Sequence, residues 1–242
     1  MIGRLVLAAL IAGMAAGLIL AGIQYVRLTP LIVQAEVFEK AAEVADAATT
    51  TISTAPSATQ DHSAHDHGAA AWEPADGWQR TLSTTVATLL TGAGFALALT
   101  GVSLLTGIAI TPANGLTWGI CGFLAVSVAT GAGLPPELPG MPAGDLFGRQ
   151  VWWVGTIVAT CIGLYIIATK RALLPTIIAI VLIALPHVIG APQALTQETK
   201  VPAGLAAAFV ANTVAAAAVF WSLIGLFLGM AVQKFGKDTY AS

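Results

Sequence analysis

Apolar residues run through this chain in long blocks interrupted by a few clusters of charge. Asp, Glu, Lys and Arg are absent from residues 5–26, 81–136, 150–169, 172–197 and 201–233. A helix crossing the hydrocarbon core of a bilayer needs roughly 20 mostly apolar residues, so these blocks hold about six spans. The first covers 5–25. The longest block divides at the turn signal Thr111-Pro112-Ala113-Asn114-Gly115 into spans of approximately 83–109 and 116–134. A fourth span ends at Thr169, and Lys170-Arg171 leaves a very short turn before a fifth over 173–189 and a sixth over 204–232. The blocks show no period-two alternation, which excludes a transmembrane barrel, and in lipid the backbone must then be satisfied within helices. The predicted fold is all-α: a polytopic transmembrane bundle with a long insertion between spans one and two.

Three regions follow: 1–26 as the first span, 27–82 as the insertion, and 83–242 as the rest of the bundle. Arg4 followed by an apolar run resembles a secretion signal, but the run exceeds the usual 7–15 residues and no small-x-small site closes it. It reads as a span. Ala9, Gly13, Gly17 and Ala21 recur every four residues, a stripe that lets another helix approach closely. Thr29-Pro30 suits a helix start, and 31–46 reads as an amphipathic helix. Glu36, Glu39 and Glu43 share one face, and Leu31, Ala35, Phe38 and Ala42 form an apolar one. Residues 47–60 are low in complexity, with no apolar periodicity to drive ordering. Trp72 and Trp78 then suit an interfacial belt on the return to the bilayer.

Charge sharpens this picture. Only 9% of residues are charged and the net charge is −2, against roughly 25% charged in soluble domains. That excludes a soluble enzyme, a disordered protein and a nucleic-acid binder. No phosphate loop, HExxH-like motif or nucleophile–base set occurs, so a non-enzyme is expected. Cys121 and Cys161 lie inside apolar blocks and read as small buried hydrophobes. With six spans, Arg4, Lys170, Arg171, Lys234 and Lys237 share one side with compact turns, while eleven of the twelve acids, all but Asp238, fall on the other. The density of basic residues places both termini inside, with the insertion on the outer side of a cytoplasmic membrane.

Candidate chemistry gathers on that outer side. His62, His65 and His67 stand with Asp61 and Asp66 in one short segment, donors suited to Co(II), Ni(II), Cu(II) or Zn(II). A solvated linker with no metal role remains the alternative. The Glu36, Glu39 and Glu43 face reads either as solvated surface or as an acidic funnel for cations. His187, preceded by Pro186 near the outer end of span five, is an ionisable residue in a membrane span. Such residues face a bundle interior or a water-filled cavity, though a structural bond to a neighbouring helix is the other reading. Gln24, Tyr25 and Asn212 lie at comparable depth and suggest a shallow polar site among spans one, five and six.

Several ordered segments resemble the CbtA family of probable cobalt transporter subunits. They are Gln24-Tyr25, Thr29-Pro30-Leu31-Ile32, Gln34-Ala35-Glu36-Val37-Phe38-Glu39, and Pro74-Ala75-Asp76-Gly77-Trp78-Gln79-Arg80-Thr81. Gly133-Leu134-Pro135-Pro136-Glu137-Leu138-Pro139-Gly140, Arg149, Trp152-Trp153 and Pro186-His187-Val188-Ile189-Gly190-Ala191-Pro192 complete the set. The resemblance implies an inner-membrane component of cobalt uptake linked with cobalamin synthesis. It also implies a small membrane partner, CbtB, and about five spans where the charge-free blocks give six. The ligand set rests on residue chemistry alone: His62, His65 and His67 to collect Co²⁺ (or Ni²⁺), Glu36, Glu39 and Glu43 to hold it, and His187 to mark its path. No resident cofactor is expected. A non-transporting scaffold subunit of a metal permease is the rival reading.

Overall fold

The computed structural model describes residues 2–52, 74–75, 77–196 and 198–235. Among the described residues there are six long helices and no strand. Helix α1 runs from Ile2 through Ile23, a π-helical turn Gln24–Leu28, and Thr29–Ile52. Then come α2 (Trp78–Thr106), α3 (Gly115–Gly133, with a π-helical turn at Leu124–Val128), α4 (Leu146–Thr169), α5 (Leu173–Ile189) and α6 (Ala203–Phe235). Five are long and apolar enough to cross a membrane, and α5 is a shorter apolar helix of 17 residues.

Thr29-Pro30 is not the helix start that its composition suggests, because α1 passes through it without a break. Within a regular α-helix the Pro30 ring would press on the carbonyl one turn earlier. The π turn just before it widens the backbone there. The Thr29 N–H reaches back to the Gln24 carbonyl, which also accepts the Thr29 hydroxyl at 3.2 Å. The stretch Ile2–Ala45 alone is 44 residues, about 66 Å at 1.5 Å per residue. That is twice the roughly 30 Å hydrocarbon thickness, so the Glu-bearing half stands beyond the core. Helical backbone continues to Ile52, past the expected end at 46.

Small residues set the helix pairings. A Cβ on Gly13 would collide with the Gly92 carbonyl, and one on Gly17 would lie 2.8 Å from the Thr88 carbonyl. The small-residue stripe of α1 therefore packs directly on α2, antiparallel to it, and α1 also packs on α6. Gly115 and Gly119 of α3 meet Gly225 and Gly229 of α6 in the same way, again antiparallel. Leu5, Phe220, Trp221, Ile224 and Leu228 fill the core among these helices.

The α4–α5 hairpin joins differently. Gly163 receives Ile183, the Trp152 ring covers Gly133, and Trp152 Nε1 donates to the Pro186 carbonyl at 2.9 Å. The hairpin thus grips α3 along its Leu124–Gly133 half. Where the helices diverge, a cavity of about 490 Å³ lies between α2, α3 and α4.

These antiparallel pairings sort the carboxylates by end. Every carboxylate side chain among the described residues lies at the end holding the α1 extension and the 134–145 and 190–202 loops. Arg4, Lys170, Arg171 and Lys234 lie at the opposite end, while Arg27, Lys40, Arg80, Arg149 and Lys200 share the end with the carboxylates.

Candidate cation entrance at the acidic end

The acidic end is a folded cap. Leu28, Ala35, Leu138, Val201 and Phe209 form a second apolar cluster under it, so the α1 extension and both loops share one core. The Thr199 hydroxyl donates to the Gly140 carbonyl at 2.9 Å, and Gln193 Nε2 donates to the Gly133 carbonyl at 3.2 Å. Gly140 adopts φ +77°, a left-handed turn that favours glycine. A Cβ there would also press on Glu39 at 3.2 Å. Asp145 starts α4 by accepting the Gly148 N–H at 2.6 Å.

The three glutamates of the extension divide in role. Glu36 pairs with Arg80 at the start of α2: Arg80 Nη1 donates to Oε2 at 3.2 Å while Nη2 meets Oε1. Glu39 and Glu43 instead line a pocket of about 240 Å³ with Phe38, Gly140, Glu198, Thr199 and Lys200. Glu198 and Lys200 were not legible in the sequence as members of this group. Span topology alone put them on the same side, but their approach depends on loop packing. Glu137 is held by Arg149 at 2.8 Å.

Among the described residues, no three of His, Cys, Asp or Glu lie close enough to enclose a metal ion. The pocket sets Glu39, Glu43 and Glu198 beside Lys200 in one lining. His62, His65 and His67 lie outside the described residues.

The polar groups near the membrane boundary are only partly brought together. Arg27 Nε donates to Asn212 Oδ1 at 3.0 Å, which joins spans one and six. The Thr88 hydroxyl donates to Gln24 Oε1 at 2.8 Å, which turns Gln24 toward α2. Tyr25 is exposed. His187 is exposed on α5 and meets Trp152 edge-on, with centroids 5.8 Å apart. Its helix packs on α4, so His187 stands apart from spans one and six, and Asn212 meets Arg27 rather than Gln24 or Tyr25.

The CbtA profile, described as probable cobalt transporter subunit, matches residues 2–233. The chain belongs to the CbtA family. It is an all-helical, multi-pass membrane protein in a family of cobalt transporter subunits. No curated protein and no solved structure matches it. The family match spans the α1 extension, both capping loops and all six helices. The cap is therefore part of the CbtA unit.

Proposed function

We propose that this CbtA-family chain works in the cytoplasmic membrane as the component of a divalent-metal uptake system that receives Co²⁺ from outside. The supporting observation is the one-sided placement of carboxylates in a protein of the CbtA family. Its described carboxylates crowd one end, and the His62–His67 segment joins that end in sequence. His62, His65 and His67 collect the ion. Glu39 and Glu43, with Glu198, hold hydrated cations at the entrance. Glu36 is engaged by Arg80, so it contributes through the cap, and His187 marks the level at which the ion would leave the cap.

Histidine binds metal as neutral imidazole. As pH falls through about 6.5, protons compete with the ion, so uptake at low external cobalt should weaken over that interval. Replacing His62, His65 and His67 together by alanine should lower uptake at limiting cobalt and leave it nearly unchanged at saturating cobalt. Equal uptake by variant and parent at limiting cobalt would remove the collecting role.

A second reading has its own support. The described interior offers no cluster of metal-binding side chains, as expected of a subunit that delivers or stabilises while a partner, such as CbtB, completes the path. Proteoliposomes containing this chain alone separate the two: cobalt flux supports transport by the chain, and flux that appears only when CbtB is added supports the accessory role.

A further inference from the structure

The cavity between α2, α3 and α4 lies apart from the acidic pocket, and its lining points to what it can hold. It follows α4 from Trp153 to Ala168, a length of about 22 Å at 1.5 Å per residue. Its volume is about 490 Å³, and its walls are almost entirely apolar.

The slot also has a direction. Thr106, Asn114 and Ala168 line it where α2 ends, α3 begins and α4 ends. Phe95 and Trp221, with ring centroids 4.8 Å apart, stand deeper in the bundle. The lining thus reaches the basic end of the protein. Lys170 and Arg171 stand two and three residues beyond Ala168 and are exposed. All carboxylate side chains of the described residues lie at the far end.

We propose that this slot binds a single anionic phospholipid, with one acyl chain between α2, α3 and α4 and the phosphate on Lys170 and Arg171. An acyl chain matches the apolar walls. A negative headgroup matches the paired cations in the turn just beyond the basic end of the lining, since basic residues beside membrane helices attract acidic lipids. This site is independent of the metal reading and would persist if that reading failed.

The test uses the full chain in nanodiscs. Tryptophan quenching by phosphatidylglycerol with brominated acyl chains is compared with quenching by equally brominated phosphatidylcholine. Trp118, Trp153 and Trp221 line the slot and report occupancy. Phosphatidylglycerol should quench at the lower mole fraction. Lys170→Gln with Arg171→Gln should weaken that preference by a factor of about 30, five- to sixfold per charge. Ala98→Phe, at an exposed position on the slot wall, should reduce quenching by both lipids with helicity unchanged by circular dichroism. Equal quenching by the two lipids in the parent chain means bulk lipid contact and overturns the site. A dimeric mass with the slot tryptophans shielded from both lipids means a second copy fills it, and overturns it as well.

Discussion

Glu36 illustrates how a residue type can suggest one role while its surroundings assign another. On its helix it belongs to a row of three carboxylates, yet it is the one that Arg80 clamps, and their side chains are only 23% and 30% exposed. The pair ties the α1 extension to the start of α2. Charge-assisted bidentate geometry is the stronger kind. Water still reaches both partners, so the contribution is about 1 kcal/mol. Glu36→Gln and Arg80→Gln should each lower the melting temperature in detergent by about 2–4 °C. The double variant should fall no further than the larger single. Uptake at limiting cobalt distinguishes a tie from a ligand. A loss in Glu36→Gln that Arg80→Gln does not share would make Glu36 a metal-holding group. The partner lies 44 residues along the chain, too far for helical periodicity to reveal. The row of glutamates was legible in the sequence, but its division into one clamped and two pocket-lining members was not.

At the scale of elements, the helix pairings depend on what is missing from side chains. Gly13 and Gly92 bring α1 and α2 into backbone contact, whereas Gly94, two residues away, faces open space. Gly13→Ala should therefore force the helices apart and cost about 1–3 kcal/mol, the usual range for overpacking. Gly94→Ala should be neutral or stabilising by up to about 1 kcal/mol, since alanine is the better helix former. Thermal unfolding of the two variants side by side checks this, and equal destabilisation would mean that α1 and α2 do not touch there. Such stripes were readable because every-fourth-residue spacing is a local property. The limits of α5 were readable for a similar reason, since Lys170-Arg171 and Gly190 bracket an unbroken apolar run. The continuity of α1 through Pro30 and the docking of α4–α5 were not. Proline marks both helix starts and π-accommodated interiors. In lipid, Ile, Val and Leu face either tails or neighbouring helices, so their pattern does not identify the partner.

Across the whole molecule, the separation of acidic and basic ends makes the number of spans a question about α5. Its 17 residues measure about 26 Å, slightly less than the roughly 30 Å core. A short helix is accommodated by local thinning of the bilayer at modest cost. The packing argues for a full crossing: Gly163 receives Ile183 midway along the hairpin, and Trp152, near the start of α4, bonds to Pro186, near the end of α5. Helix α5 therefore returns to the level at which α4 began. If α5 crosses, α6 crosses back and the two termini share a side. If it does not, they are on opposite sides. Single cysteines at Ser57, Ala172 and Ser242, in a Cys121→Ser/Cys161→Ser background, can be labelled with a membrane-impermeant maleimide. Six spans with the basic end inside predict that intact spheroplasts label Ser57→Cys alone, and that permeabilised ones label all three. Labelling of Ser242→Cys together with Ser57→Cys in intact cells would reduce the bundle to five crossings. Labelling of Ala172→Cys and Ser242→Cys without Ser57→Cys would invert the protein. Inversion would turn the acidic pocket toward the cytoplasm and end its reading as an entrance from outside.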